Sequence, residues 1–251
     1  MEFVEVDGVR LEIKRVGGDK PPILMLHEGL GSVSMWRDFP ERLAVATGHE
    51  VICWSRRGYG WSDPSSGPFE PDYMHREAAL VPDLMRALNL RSAHFFGHSD
   101  GGSIALLAAS RFPDLVSSLI LEAPHVFVED LTIESIRKVR DLFEPSGLGQ
   151  KLGRHHARPN DTFWLWNDIW LDDRFRRWNI EDHLSQIAVP TLVIQGLDDE
   201  YGTLEQIDRM QAYMPQIQRL VLERCGHSPH RDQASQVLSG SSRFLEAVGP
   251  E

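Results

Sequence analysis

Two kinds of hydrophobic pattern follow one another along the chain. Residues 2–16 alternate apolar and polar positions around Asp7-Gly8, which is typical of two antiparallel strands joined by a tight turn. Beyond this hairpin the apolar residues form short, nearly continuous runs, which indicate strands buried on both faces of a parallel sheet. These predicted strands are residues 21–27, 50–55, 93–98, 117–123, 190–196 and 218–223.

Helical spacing fills most of the intervals between the predicted strands. The predicted helices are residues 36–46, 73–90, 101–111, 204–214 and 233–248. A chain that alternates buried strands with helices builds βαβ units. The predicted fold class is therefore α/β, with helices covering a mostly parallel sheet.

The interval 125–187 breaks this alternation. It contains several helical patterns without a good strand, and it is rich in tryptophan, namely Trp164, Trp166, Trp170 and Trp178. We predict that it forms a helical cap inserted into a core made of residues 1–124 and 188–251. Aromatic residues at helical spacing usually pack a core, so most of these side chains are expected to hold the cap in place. The others are candidates, with Phe127, Phe163 and Trp36, for lining an apolar pocket.

Composition narrows the range of partners. The chain has 251 residues, enough for one sizeable domain with an insertion, and a formal net charge of −11. This charge repels nucleic acid and anionic membrane surfaces, so the expected partner is a small molecule. Its two cysteines, Cys53 and Cys225, build neither a disulfide framework nor a metal-binding spacing. With an acidic N-terminal segment and no long apolar run, a cytoplasmic location is expected, and nothing in the sequence indicates an oligomeric state.

The segment "FFGHSDGG", residues 95–102, places a serine at a sharp reversal of the chain. A predicted strand ends just before Ser99, a predicted helix begins near Asp100, and Gly97 and Gly101 remove side chains where such a turn is crowded. Ser99 would project at the carboxyl end of the sheet, beside a helix N-terminus that stabilises developing negative charge. The simpler interpretation, a helix-capping serine, stays open on this motif alone.

A nucleophilic serine needs a base to take its proton and an acid to orient that base. His227 is the predicted base, because it lies in a glycine-bearing loop between the last strand and the last helix. His230, three residues later, is interpreted as a surface residue. Residues 198–200 are all acidic and follow the preceding strand, and within them Asp199 is the predicted acid.

Taken together, these segments resemble the α/β-hydrolase family over nearly the whole chain. The matching segments are "LHEGLGS", "SRRGYGWSD", "GHSDGG", "GLDD" and "CGHSPH". The resemblance implies an eight-stranded, mostly parallel sheet with a helical cap after the sixth strand. It also implies Ser99 as nucleophile, Asp199 as orienting acid and His227 as base, with the backbone N–H groups of Gly29 and Asp100 as oxyanion donors. It implies no cofactor and no metal.

Two carboxylates depart from the family pattern near the expected site. Glu28 replaces a glycine beside the oxyanion loop, and we interpret it as turned outward and paired with Arg56 or Arg57, because an unpaired buried charge is costly. The alternative places it near the substrate channel. Asp100, directly after the nucleophile, occupies a position that is often uncharged in the family. If both keep their charge near the pocket, they disfavour anionic substrates, so a neutral or cationic substrate is expected.

Glu122 is an alternative acid. Some members of the family carry the orienting acid after the sixth strand, and Glu122 lies close to that point. The resemblance therefore leaves two carboxylates for one role, with Asp199 preferred.

The function predicted from these residues is a cofactor-independent serine hydrolase, with a carboxylesterase acting on a small or medium neutral ester or lactone as the leading interpretation. The resemblance also admits carbon–carbon bond hydrolases, perhydrolases and aminopeptidases. Outside enzymes, the alternative is a receptor-like protein that kept the fold and binds a ligand without turnover.

Overall fold

An eight-stranded sheet forms the centre of the computed structural model, which describes residues 1–249. Its strands are β1 (Glu2–Val6), β2 (Val9–Val16), β3 (Lys20–Leu26), β4 (His49–Trp54), β5 (Ala93–His98), β6 (Val116–Glu122), β7 (Thr191–Gly196) and β8 (Gln218–Leu222). They lie in the order β1-β2-β4-β3-β5-β6-β7-β8. β2 is antiparallel to β1 and to β4, whereas every other neighbouring pair is parallel. The predicted mostly parallel sheet of eight strands is confirmed.

The N-terminal hairpin has the tight turn that its sequence predicts. Val6 pairs with Val9 across Asp7 and Gly8, and these two turn residues have φ angles of 49° and 74°. Two consecutive positive φ angles are typical of a turn whose twist matches that of the flanking strands.

The helices fill the intervals between strands. They are α1 (Phe39–Thr47), α2 (Tyr73–Ala87), α3 (Asp100–Arg111), α4 (Asp130–Leu142), α5 (Leu148–Leu152), α6 (Pro159–Trp170), α7 (Glu181–Leu184), α8 (Glu205–Tyr213), α9 (Pro229–Asp232) and α10 (Ala234–Val248), with 3-10 turns at Val33–Trp36, Pro113–Leu115 and Phe175–Arg177. The predicted helix over 36–46 is divided, because Arg37 has a φ of 56° and interrupts the helical geometry before α1.

Helices cover both faces of the sheet. α1 packs against α10 and β4 on one face, whereas α2 packs against α3, which contacts β5, on the other. Adjacent residues of β5 illustrate this division, since Phe95 and Phe96 are both fully buried but belong to different hydrophobic clusters. Side chains alternate between the faces of a strand, so a continuous apolar run is what a doubly covered strand requires.

The chain between β6 and β7 is helical. It contains α4, α5, α6 and α7, and none of the described residues in this stretch adds a strand to the sheet. These helices lie where a cap is expected, and the boundaries at residues 125 and 187 stay a prediction. Within residues 1–249 no helix combines the length and apolar character needed to cross a membrane.

Candidate active site

Ser99 occupies a strained corner between β5 and α3. Its φ of 53° and ψ of −119° are unusual for a residue with a side chain. The turn is possible because glycines flank it: a Cβ on Gly101 would lie 2.1 Å from the carbonyl oxygen of Leu26, and one on Gly97 would lie 2.6 Å from the carbonyl oxygen of Gly101. The Ser99 N–H donates to the carbonyl of Glu122 at 2.9 Å, which holds the corner against β6.

Of the three residues predicted to act together, His227 lies within hydrogen-bond distance of both Ser99 and Asp199. Nε2 of His227 is 2.9 Å from Oγ of Ser99, and Nδ1 of His227 is 2.9 Å from both carboxylate oxygens of Asp199. A carboxylate accepts, so Nδ1 of His227 carries the proton and Nε2 has a lone pair for the Ser99 hydroxyl. The geometry is that of a nucleophile, a base and an orienting acid.

Three further donors hold the Asp199 carboxylate in place. It accepts from the side-chain amide of Gln195 at 2.7 Å and from the backbone N–H groups of Tyr201 at 2.8 Å and Gly202 at 3.2 Å. Burial raises the pKa of Asp199, but the charge and hydrogen bond of His227 and the Tyr201 N–H outweigh it, so this pKa is lowered. Asp199 is therefore ionised at neutral pH.

The alternative acid, Glu122, binds a different histidine. Its Oε2 is 2.7 Å from Nδ1 of His230, and both side chains are buried. The interpretation of His230 as a surface residue was wrong, because α9 turns its ring inward against Trp36 and Phe39. Among the described residues, Nδ1 of His227 is bound by Asp199 and not by Glu122.

The two predicted oxyanion donors border the same cavity as Ser99. Within residues 1–249, the N–H groups of Gly29 and Asp100 are left without a protein acceptor. Trp166 of α6 lies so close to Gly29 that a Cβ there would be 2.2 Å from the indole nitrogen, so only glycine fits this position. A helix N-terminus and a loop N–H facing one cavity provide a place for a developing oxyanion.

The expected pairing of Glu28 with Arg56 or Arg57 was wrong. Glu28 lines the cavity, with its Oε2 3.5 Å from Nδ1 of His98 and its Oε1 3.8 Å from a guanidinium nitrogen of Arg231. Arg56 is fully buried and lies 3.7 Å from the carboxylate of Asp100 instead. The Arg56 side chain donates to the backbone carbonyl of Glu28 at 3.1 Å, whereas the Glu28 carboxylate points to His98 and borders the cavity, which agrees with the alternative position.

Asp100 is compensated within the protein. It accepts from the hydroxyl of Tyr73 at 2.8 Å, and Arg56 lies 3.7 Å away. Burial raises the pKa of Asp100, and the positive charge of Arg56 opposes that rise without cancelling it.

The cavity above Ser99 has a volume of about 110 Å³. It is bounded by Glu28, Gly29, Leu30, Ser99, Asp100, His125, Thr132, Ile136, Trp166, Trp170, Tyr201 and His227. Residues from α4 and α6 supply its apolar wall. His125 and Tyr201 were not predicted, although each lies within a few residues of the carboxyl end of β6 or β7. Burial lowers the pKa of His125 to about 3, so its imidazole is neutral there.

Three aromatic residues considered for this pocket lie outside the described lining. Trp36 packs on the face of the sheet that α1 covers, and its ring centroid is 5.9 Å from that of Phe96. Phe163 stacks on Phe143 at 3.9 Å inside the helical segment, and Phe127 carries the guanidinium of Arg209 over its ring. Helical spacing predicts that such residues are buried but not what they face.

Comparison with known proteins gives a consistent result. A family model described as the alpha/beta hydrolase fold matches residues 21–144. A human protein named serine hydrolase BPHL is 33% identical over 210 residues, in an alignment that covers 78% of this chain and 69% of that protein. A Comamonas testosteroni protein named 2-hydroxy-6-oxononadienedioate/2-hydroxy-6-oxononatrienedioate hydrolase is 25% identical over 237 residues, in an alignment that covers 84% of this chain and 82% of that protein. The solved enol-lactonase of Burkholderia xenovorans LB400 superposes with a TM-score of 0.79 at 20% identity, covering 98% of this chain and 100% of its own, a likeness of fold.

Proposed function

Because this chain belongs to the α/β-hydrolase family and is a hydrolase, we propose that it hydrolyses carboxylic esters or lactones through an acyl-enzyme on Ser99. One observation carries the proposal: Oγ of Ser99 is 2.9 Å from Nε2 of His227, whose Nδ1 is held by Asp199. This contact lies beside a cavity that two unpaired N–H groups border.

In the first half of the proposed reaction, His227 takes the proton of Ser99 as Oγ attacks the carbonyl carbon of the substrate. The N–H groups of Gly29 and Asp100 stabilise the resulting oxyanion. The tetrahedral intermediate collapses, the bond to the leaving oxygen breaks, and that oxygen takes the proton from His227. The acyl group is then an ester of Ser99.

In the second half, His227 removes a proton from water, and the hydroxide attacks the acyl carbon. The acyl–oxygen bond to Ser99 breaks, Oγ recovers the proton from His227, and the carboxylic acid leaves. Asp199 stabilises the imidazolium at both stages without accepting the proton. The steps consume one water per ester, and the residues named here supply every proton transfer.

Charge favours a neutral or cationic substrate. Glu28 reaches the cavity, and no lysine or arginine is among the described residues that border it. The name of the Comamonas testosteroni relative denotes a dicarboxylate substrate. The cavity presents the Glu28 carboxylate to such a substrate and has no lysine or arginine in its described lining to bind it, although His98 and Arg231 partly offset the charge of Glu28 from behind. This argues for ester or lactone hydrolysis over cleavage of an acidic carbon–carbon substrate.

The test is a matched pair of esters, p-nitrophenyl butyrate and the mono-p-nitrophenyl ester of succinic acid. We expect kcat/KM to be at least about tenfold higher for the neutral ester, and Glu28→Gln to narrow this ratio. A preference for the succinate ester would contradict the assignment of substrate charge.

Ser99→Ala tests the proposed chemistry itself. It should abolish ester turnover and labelling by a fluorophosphonate probe, while its thermal unfolding stays close to that of the unmodified protein. Labelling at Ser99 accompanied by steady turnover supports an enzyme. Labelling followed by at most a single slow turnover would support the receptor-like alternative.

A further inference from the structure

Behind Ser99 and His227 lies a buried group of ionisable side chains that the proposed reaction does not use. His98, Glu122 and His230 are buried, and Glu28 is 16% exposed. They come from β5, β6, α9 and the loop after β3. Buried ionisable groups are costly unless they are paired, so their arrangement needs a physical reason.

The contacts of His98 define its protonation. Its Nε2 is 2.6 Å from the backbone carbonyl oxygen of His227, and a carbonyl oxygen can only accept, so Nε2 carries a hydrogen. Its Nδ1 is 3.5 Å from Oε2 of Glu28. A lone pair on Nδ1 would be repelled by that carboxylate, whereas a second N–H is attracted to it. At 3.5 Å this contact is an ion pair rather than a hydrogen bond, and it favours a ring protonated on both nitrogens.

The charges around His98 agree with this assignment. The carboxylates of Glu28, in the loop after β3, and of Glu122, in β6, both lie near the His98 ring. Two further imidazole rings follow β8 in the chain, and their centroids are 5.2 Å (His227) and 5.0 Å (His230) from that of His98. Burial lowers the pKa of His98, but the nearby carboxylate of Glu28, and then the charge of Glu122, outweigh it and raise this pKa. Burial likewise raises the pKa of Glu28, but His98 and Arg231 hold it well below its ordinary value.

The bond from His98 is the shortest of the contacts that hold the His227 backbone. The N–H of His227 lies 3.3 Å from a carboxylate oxygen of Glu200, and the preceding residue, Gly226, donates to Asp232 at 2.8 Å. The remaining anchor is the 2.6 Å contact from His98, made inside the protein and between a charged donor and a carbonyl. Such charge-assisted bonds are about twice as strong as neutral ones.

We propose that His98 is a positioning residue, a protonated tie between the carbonyl of His227 and the carboxylate of Glu28 that sets the base relative to the oxyanion loop. The inference rests on the proposed acyl transfer at Ser99. His98 is absent from the described lining of the cavity, so it acts through its contacts with His227 and Glu28, the residue before Gly29, rather than on the substrate. Its loss should therefore lower kcat and leave KM nearly unchanged.

The experiment compares two variants of His98 with a control on the same strand. His98→Gln keeps a donor near the His227 carbonyl without the charge, and His98→Leu removes both. Because small misplacements of reacting groups are expensive, we expect kcat with p-nitrophenyl butyrate to fall about tenfold in the first and about a hundredfold in the second. KM should stay within about threefold of the unmodified value, and the rate of fluorophosphonate labelling should fall in parallel with kcat.

His94→Gln is the control. His94 is also a buried histidine of β5, bonded to Ser118 at 2.8 Å and remote from Ser99. It should lose stability without losing kcat. Equal losses of kcat in the variants of His94 and His98, or a kcat for both His98 variants within about twofold of the unmodified protein, would overturn the inference.

The pH profile separates positioning from mere packing. Deprotonation of His98 removes the hydrogen that faces Glu28. The kcat of the unmodified protein should therefore decline as the pH rises through the pKa of His98, and the kcat of His98→Gln should not show that decline. An alkaline decline in kcat that persists unchanged in His98→Gln contradicts the assignment.

The failure of the proposed function and the failure of this inference give different results. If Ser99→Ala retained turnover, the proposed function would fail. If Ser99→Ala is inactive but the His98 variants have normal kcat, only the positioning inference fails.

A measurement on the unmodified protein covers the case in which the variants do not fold. Nitrogen-15 chemical shifts of the His98 ring, recorded at about pH 6.5 where an ordinary histidine is half protonated, should show both nitrogens protonated in most molecules. A ring that is mainly neutral at this pH would overturn the proposal.

Discussion

The proposed reactivity of Ser99 depends on the orientation of one imidazole. With Asp199 accepting from Nδ1, His227 presents its lone pair to the serine, and the acid is itself held by three donors. A carboxamide in place of the carboxylate would donate to Nδ1 and favour the opposite tautomer. In the proposed reaction, the hydrogen bonds around Asp199 thus help determine whether the serine can lose its proton.

Substituting each candidate acid distinguishes between them. Asp199→Asn should lower kcat about ten-thousandfold, because the wrong tautomer of His227 faces the serine. Glu122→Gln, which alters a side chain bonded to His230, should lower kcat by no more than about tenfold. Steady-state kinetics on one neutral ester measures both, and a reversed order would make Glu122 the orienting acid.

For individual residues, the sequence predicts which residue types form the site better than it predicts where their side chains point. Ser99, Asp199 and His227 could be found because each follows a predicted strand, and the carboxyl ends of parallel strands lie at one edge of the sheet. The inward turn of His230 and the contact of Glu28 with His98 could not be found. They depend on how distant segments pack, which periodicity does not encode.

Among the elements, the junction of β5 and α3 has no room for a side chain at Gly101. The carbonyl of Leu26 approaches so closely that a Cβ at Gly101 would lie 2.1 Å from it. The obstacle is backbone, so it cannot move aside as a flexible side chain does. Apolar runs predict the buried strands well because both faces are covered, but the break at Arg37 before α1 has no comparable signal.

Gly101→Ala tests this close approach. Alanine is favoured over glycine in a helix by up to about 1 kcal/mol, whereas overpacking against backbone costs about 1–3 kcal/mol, so net destabilisation is expected. Urea unfolding gives the difference in free energy. Gly17→Ala is the control, since its Cβ would meet nothing within 4 Å. A Gly101→Ala protein as stable as this control would show that the junction relaxes readily.

Across the whole molecule, buried histidines link stability to pH. Burial lowers the pKa of His94 and His156 to about 4, and that of His125 to about 3. Below the ordinary histidine pKa of about 6.5, the unfolded chain takes up protons that the folded chain refuses. The free energy of unfolding therefore falls as the pH drops from about 6.5 to about 4. His98, whose pKa is raised, has the opposite dependence.

We expect His94→Gln to reduce this acid sensitivity. Protonation of His94 on unfolding lowers the free energy of unfolding between about pH 6.5 and pH 4 by at most on the order of 3 kcal/mol. In His94→Gln unfolding is no longer coupled to protonation of that ring, so this part of the loss should disappear. Urea unfolding at both pH values measures the change. If the difference in the free energy of unfolding between the two pH values were the same in His94→Gln as in the unmodified protein, His94 would titrate normally in the folded protein.

The architecture as a whole follows from the alternation of strands and helices, together with the helical interval after β6. The surroundings of the cavity do not follow from it, because Trp166 and Trp170 border the cavity above Ser99 only once α6 is packed over the strand ends. Helical spacing alone does not distinguish these two tryptophans from Trp164 and Trp178.

The acyl-enzyme is the most direct test of the account. The protein is mixed briefly with p-nitrophenyl acetate, quenched in acid and digested, and its peptides are examined by mass spectrometry. The account predicts an added acetyl group on Ser99, present at the earliest times, absent from Ser99→Ala and strongly reduced in His227→Ala. Steady hydrolysis with no acetyl group on Ser99, or with the acetyl group on another residue, would contradict it.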